Sequence, residues 1–115
     1  MSQTSLMLGT YIVVMITTSS GEEAERIARD LLDKSLAACV NIVSGVKSLF
    51  WWEGKIQEAG EHLLLIKTRL DKMEKIIKSV KQIHSYAVPE IIALPIIAGN
   101  KSYLEWINQV MEKSK

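Results

Sequence analysis

The sequence predicts a single-domain α+β protein whose antiparallel sheet is built around one long β-hairpin. Two apolar-rich runs, CVNIVSGVKSLFWW and IQEAGEHLLLIKTR, meet at the tight step Glu53-Gly54-Lys55. A continuous β-branched run, YIVVMIT, precedes them, and segments with helical apolar spacing separate the strands. The 115 residues are enough for one domain, residues 1–115, with its own core, and no linker interrupts them.

The first two elements are a buried strand and a capped helix. Residues Tyr11 to Thr17 are apolar on both sides of the pleat, which is typical of a central strand covered on both faces. Ser19-Ser20 precedes Glu22-Glu23 at capping-box spacing, and an apolar stripe follows. We therefore expect a helix that runs to about Ala37.

The hairpin supplies the second and third strands. Gly54 takes positive φ without steric cost, so Glu53-Gly54 suits a two-residue turn. Arms of about fourteen residues reach about 46 Å, whereas a globule of this length is only about 35 Å across. The tip, Phe50 to Trp52, therefore overhangs the domain and predicts contact with other copies of the chain. The alternative is a kink at Ser44-Gly45, or a bulge at Ala59-Gly60, that folds the hairpin back over its own core.

The C-terminal half predicts a helix, a strand and a second helix. Asp71 can cap a helix that ends near His84. Glu90 to Ile97 is predicted as a fourth strand, and Pro95 within it indicates an edge position or a bulge, because proline has no N–H for the ladder. Gly99-Asn100 is expected to turn the chain into a last amphipathic helix from Tyr103 to Val110.

This βαββαβ order, with a C-terminal helix, is the ferredoxin-like pattern, which places both helices on one face of the sheet. Its usual arrangement puts the first and third predicted strands in the centre and the fourth at an edge. A sheet covered on one side only should alternate apolar and polar residues, yet these strands do not. The sequence therefore predicts that the last helix and neighbouring subunits cover the second face.

Composition excludes several classes of partner. The 14 basic and 13 acidic residues nearly cancel and form no basic block, so we expect no nucleic-acid partner. No apolar run is long enough for a bilayer, and MSQTSLMLGT lacks the pattern of a signal peptide. With a single cysteine and no common nucleotide, hydrolase or zinc motif, we expect a cytoplasmic protein that is not an enzyme.

Two residue sets are candidates for a site. Cys39 and His84 are soft ligands that favour copper and zinc, although each also suits an ordinary structural role, Cys39 as a small buried side chain and His84 beside a helix C-terminus. One cysteine and two histidines cannot close a tetrahedral site in one chain, so any metal site is open, shared between subunits or weak.

The second set gathers around Lys67, a charge that interrupts an apolar strand and needs a partner such as Glu90. It forms either an ion pair across a seam or, with Tyr86 and Trp52, a cleft for an anion, a small polar ligand or a metal ion. The aromatic tip suits an interface better than RNA, because the base-stacking RNP pattern is absent.

Five segments of the chain closely resemble the CutA divalent-cation tolerance family. In order they are LAACVNI (Leu36 to Ile42), WWEGKI (Trp51 to Ile56), LLLIKT (Leu63 to Thr68), HSYAVPEIIALPI (His84 to Ile97, with one extra isoleucine) and GNKSYLEWI (Gly99 to Ile107). The similarity runs from about Tyr11 to Val110. Two departures stand out: Ser85 occupies a position where the family usually has proline, and Ala87 one where it usually has glutamate, which removes a possible oxygen ligand.

The resemblance implies a cytoplasmic homotrimer of ferredoxin-like subunits with interlocking hairpins, linked to tolerance of copper and other divalent metals. By position, Cys39 and His84 correspond to residues proposed as copper ligands in some members. The residues in motifs that line the family's inter-subunit clefts are Trp52, Lys67, Tyr86 and Glu90. An alternative is a signalling module similar to the nitrogen-regulatory PII proteins, with a small ligand in the same clefts. An acylphosphatase-like enzyme would need an arginine near the first strand, and residues Thr17 to Gly21 contain none.

Overall fold

The computed structural model describes residues 4–6 and 10–112. Its elements in chain order are β1 (Thr4–Leu6), β2 (Tyr11–Thr18), α1 (Gly21–Asp33), β3 (Cys39–Trp52), β4 (Lys55–Arg69), a 3₁₀ turn (Leu70–Lys72), α2 (Met73–Ile83), β5 (Ile91–Pro95), β6 (Ala98–Asn100) and α3 (Lys101–Glu112). None of the helices in these residues is long and apolar enough to cross a membrane.

Four of the strands form an antiparallel sheet in the order β3-β4-β2-β5. The two central strands, β2 and β4, are the ones with continuous apolar runs, and Pro95 closes the edge strand β5. The predicted α+β class and the predicted order of the four strands are therefore confirmed. A short second sheet pairs β1 with β6.

Helices α1 and α2 pack on the same face of the sheet. The main core joins alternate residues of β2 and β4 to one stripe of each helix, because side chains two apart in a strand share a face. Its principal members are Ile12, Val14, Ile16, Leu64 and Ile66 from the strands and Ala24, Ile27, Leu31, Ile76 and Val80 from the helices. A second, smaller cluster packs α3 against Tyr11.

The opposite face of the sheet keeps apolar side chains that are only partly covered within one subunit. They are Val13, Met15, Leu63 and Leu65 on the central strands and Ile92 and Leu94 on the edge strand. Helix α3 reaches only the end of this face, at Tyr11. Among residues 10–112, therefore, no element covers most of this face.

The hairpin extends beyond the domain, as predicted. Its turn is the expected pair, with positive φ at Glu53 (50°) and Gly54 (77°), the geometry of a type I′ turn. The molecule is 52 Å long but only 28 by 22 Å in cross-section. At the tip, Trp51 is 72% exposed and Trp52 is 53% exposed, so the hairpin does not fold back over the core.

The irregularity in the hairpin lies on β3 and leaves β4 regular. The register shifts between Val43 and Val46, where Gly45 has a φ of 75°. Positive φ is easily reached by glycine, so this is the natural place for a bulge. Ala59-Gly60, the other candidate, pairs regularly with β3.

Three predicted details are wrong. Helix α1 ends at Asp33 rather than near Ala37, because Ser35 adopts a φ of 55° and the N–H of Leu36 turns back to the carbonyl of Leu31. Asp71 does not cap α2. Its carboxylate instead accepts hydrogen bonds from Arg69, at 2.8 and 3.0 Å, and a 3₁₀ turn leads into the helix. Gly99-Asn100, expected as a turn, belongs to strand β6.

Candidate functional site

The loop after α2 is fixed to the rest of the domain by three consecutive residues, of which His84 is the first. His84 is the C-cap of α2, and its ring is buried. The ring Nε2 lies 2.8 Å from the carbonyl oxygen of Thr17, and Nδ1 lies 3.0 Å from the backbone N of Tyr86. A carbonyl only accepts and a backbone N–H only donates, so these two contacts are satisfied together by the tautomer with its proton on Nε2. Both nitrogens are thus engaged.

Ser85 joins the loop to the start of α1 through Glu23, which is only 3% exposed. Its backbone N–H donates to Oε2 of Glu23 at 2.6 Å, and its hydroxyl donates to Oε1 at 3.1 Å. The N–H and hydroxyl of Ser19 also donate to Oε1, each at 3.2 Å. Burial by itself raises the pKa of Glu23, but the hydrogen bonds from Ser85 and Ser19 outweigh it and hold the pKa below its ordinary value. The carboxylate is therefore charged.

Tyr86 joins the loop to the hairpin. Its hydroxyl donates to Oε2 of Glu61 at 2.8 Å, and Glu61 is itself only 7% exposed. Burial, together with the hydrogen bond to the Glu61 carboxylate, raises the pKa of Tyr86 to about 12. The phenol therefore stays protonated and remains a donor at physiological pH.

A cavity of about 840 Å³ lies between this loop and the shaft of the hairpin. Three of the predicted cleft residues line it together: Trp52 from the hairpin, and Tyr86 and Glu90 from the loop. The other lining side chains that matter for its chemistry are Phe50, Lys47, Glu58 and Glu61. The cavity is thus aromatic on several sides and carries three carboxylates and one ammonium group.

Lys67, the fourth predicted cleft residue, does not line this cavity within one subunit. It pairs across the strands with Cys39, and its Nζ donates to Oδ1 of Asn41. Lys67 lies four positions along β4 from Leu63, which is at the end of the sheet nearest the loop, and four positions of strand span about 13 Å. The expected ion pair between Lys67 and Glu90 is therefore absent from the single subunit, and the amide of Asn41 takes its place.

Cys39 and His84 are likewise not brought together by one chain. Cys39 lies beside Lys67, whereas His84 binds the carbonyl of Thr17, which pairs with Leu63. The half-buried thiol of Cys39 lies 4.0 Å from the side-chain oxygen of Asn41, and it also interacts with the phenol of Tyr103, whose pKa is raised by burial and by this thiol. Across residues 10–112, no three His, Cys, Asp or Glu side chains are close enough to hold a metal ion. Cys39 and His84 therefore do not fit a shared metal site within one subunit.

Sequence reasoning missed two buried carboxylates. Glu23 was assigned only to the helix cap, and its contact with Ser85 spans 62 positions of sequence. The sequence indicates a buried carboxylate more clearly at Glu61 than at Glu23. Glu61 begins the apolar half of β4, where a charged side chain needs a partner.

Comparison with known proteins gives consistent matches along the chain. The family model described as CutA1 divalent ion tolerance protein matches residues 12–110. The divalent-cation tolerance protein CutA of Archaeoglobus fulgidus is 52% identical over 99 residues, which is 86% of this chain and 96% of that protein. The chloroplastic protein CutA 1 of rice is 48% identical over 103 residues, or 90% of this chain, but this chain spans only 58% of that protein's length.

Solved structures give the same picture. The structure described as the periplasmic divalent cation tolerance protein CutA from Archaeoglobus fulgidus superposes with a TM-score of 0.85 at 50% identity, covering 88% of this chain and 98% of that one. The divalent cation tolerance protein of Thermus thermophilus gives a TM-score of 0.83 at 48% identity, covering 84% and 94%.

Proposed function

This chain belongs to the CutA1 divalent ion tolerance family, and from that premise we propose that it is a binding protein of divalent-cation tolerance and not an enzyme. We propose a ferredoxin-like homotrimer with interlocked hairpins, whose ligands bind in the clefts between subunits. The observation that carries this proposal is the overhanging hairpin with its uncovered aromatic tip.

The hairpin supports assembly through its exposed apolar surface. Leu49, Trp51 and Ile56 are all more than 60% exposed in the single subunit, and the uncovered sheet face adds further apolar area. Buried aromatic side chains remove about 150–250 Å² each from water, at about 25 cal/mol per Å². Covering the tip of each hairpin is therefore worth several kcal/mol to an assembly. That the assembly has three subunits is taken from the family resemblance.

For the metal we propose copper as the preferred ion and Cys39 as its first ligand, with donors from more than one subunit. A thiolate is a soft donor, and Cys39 is half-buried and free. In this proposal His84 can coordinate a metal only through Nδ1, because Nε2 donates its proton to the carbonyl of Thr17. Nδ1 then has to give up the hydrogen bond that it accepts from the backbone N–H of Tyr86. The free thiol also suits our proposal of a cytoplasmic location, where thiols stay reduced.

Copper titration of untagged protein by isothermal calorimetry tests the metal site, with sedimentation of the same sample reporting the assembly. We expect Cys39→Ser to abolish high-affinity binding and His62→Ala, the control for the other imidazole, to retain it. His84→Ala should reduce binding if the ring is a second ligand. A Cys39→Ser protein that binds copper like the wild type contradicts the assignment, and a folded monomer in dilute buffer contradicts the trimer.

The cavity beside Tyr86 favours a second candidate function, a small-ligand module similar to PII proteins. Its volume of about 840 Å³ is within the range of small-molecule sites. Trp52 lines it, so occupancy should change tryptophan fluorescence. Titration with nucleotides separates the candidates: a saturable response to nucleotides, and none to copper, favours the second. Cations to bind the nucleotide phosphates then have to come from a neighbouring subunit, because the lining described here has three carboxylates and only Lys47.

A further inference from the structure

The cavity beside Tyr86 contains more negative charge than the described residues of its own subunit neutralise. Lys47 is the single cation among the described lining residues, and its Nζ is already 2.7 Å from a carboxylate oxygen of Glu58. Glu61 and Glu90 remain. Neither forms an ion pair with any residue in the described part of the chain.

Glu61 is the more telling of the two carboxylates. It is 7% exposed, and the hydroxyl of Tyr86 is the one donor it has among residues 10–112, bound to Oε2. A buried carboxylate is normally paired with a cation or accepts several hydrogen bonds, because desolvation is costly otherwise. No fully buried side-chain oxygen in the described residues lacks a partner, so Oε1 of Glu61 is open to the cavity. The site is built to receive a positive charge there.

A metal ion does not match this distribution of charge. No three of the carboxylates, with or without a histidine or cysteine from residues 10–112, are close enough to coordinate one ion. The carboxylates are instead spread around a space of about 840 Å³ whose walls include Phe50, Trp52 and Tyr86. Aromatic faces attract organic cations and also pack against aliphatic chains.

We infer, resting on the proposed role of this cleft in ligand binding, that the cavity binds an aliphatic polyamine. One ammonium group pairs with Glu61, a second pairs with Glu90, and the methylene chain between them lies against the aromatic wall. Separated positive charges on an apolar chain match separated carboxylates around an aromatic cavity. A monoamine can satisfy only one of the two carboxylates.

Calorimetric titration with spermidine, a linear triamine, in low-salt buffer tests this inference on the full chain in its native assembly. We expect one saturable site per subunit. Glu61→Gln removes the charge and keeps an acceptor for Tyr86, so it should weaken binding about tenfold. Glu90 is exposed, so Glu90→Gln does not put folding at risk, and it should weaken binding similarly. Glu105→Gln, a matched change on the exposed side of α3, should leave the affinity unchanged.

Each alternative outcome overturns the inference. Equal affinity in Glu61→Gln, Glu90→Gln and Glu105→Gln means that spermidine binds elsewhere on the surface. Binding of an aliphatic diol of matched length as tightly as spermidine means that the site does not select charge. Absence of binding means that a neighbouring subunit supplies the missing cation. Copper titration and sedimentation of the same samples report the proposed function separately, because Cys39 does not line this cavity and sedimentation measures the assembly directly.

Discussion

Replacing Glu23 with glutamine tests whether one buried carboxylate holds both the start of α1 and the loop that lines the cavity. Glutamine keeps the shape of the side chain but has one oxygen. If the oxygen faces Ser19, the amide NH₂ meets the N–H of Ser85, which is only 2.6 Å from Glu23 in the native contact. If it faces Ser85, the NH₂ meets the N–H of Ser19.

Either orientation leaves one backbone donor without an acceptor, while the serine hydroxyls can rotate to accept. Losing one hydrogen bond to a charged group costs about 1.5–3 kcal/mol. We therefore expect Glu23→Gln to lower the free energy of unfolding by about 2 kcal/mol per subunit. Glu22→Gln is the matched control, because Glu22 lies in the same turn but is exposed, and it should cost about 0.3–1 kcal/mol through the helix dipole.

The dependence on pH gives an independent check. The pKa of Glu23 is lowered in the folded protein, so its stabilising effect is fully present above its ordinary value of 4.5 and disappears as the pH falls through the folded value. The wild type and Glu23→Gln should therefore differ most near neutral pH and converge in acid. The assay is denaturant unfolding followed by circular dichroism at matched protein concentration. Equal midpoints for Glu23→Gln and Glu22→Gln at neutral pH would refute the reasoning.

Three further predictions concern other contacts. Replacing Trp51 and Trp52 with serine should give monomer or aggregate in sedimentation, and elution as the native assembly counts against interlocked hairpins. Tyr86→Phe removes the donor to the Glu61 carboxylate and should cost about 1.5–3 kcal/mol in unfolding. The contribution of the native phenol is complete below pH 10 and is lost as the pH rises through about 12. Thr68→Val removes a buried 2.7 Å hydrogen bond to a backbone carbonyl and should cost about 1–3 kcal/mol, whereas an unchanged melting temperature would show that water replaces it.

The parts of the fold that were predicted correctly depend on signals within one segment. The Glu53-Gly54 turn, the capping pair Ser20 and Glu23, and the edge position of Pro95 each follow from the chemistry of a few neighbouring residues. The end of α1 was misjudged because serine seldom adopts the positive φ found at Ser35, so the pattern carried no stop signal.

The candidate site was predictable only in part, because it depends on register as well as on residue type. Trp52, Tyr86 and Glu90 line one cavity of the single subunit, whereas the prediction places them in a cleft between subunits. Lys67 does not join them, since four residues of extended strand place it about 13 Å from the end of the sheet nearest the loop. Whether a charge on β4 reaches the cavity depends on its distance along that strand. Glu61, six residues before Lys67, lines the cavity, and so does Glu58.

Ser85 connects the loop after α2 to the start of α1. His84 has φ −76° and ψ 139°, extended angles that the residue before a proline also adopts, so the backbone here suits the proline that the family resemblance predicts at position 85. Serine adds an N–H and a hydroxyl that proline lacks, and both donate to Glu23. The carboxylate that caps α1 therefore also fixes the loop that carries Tyr86. In this chain the shape of the cavity depends on the N-terminus of a helix that does not line it.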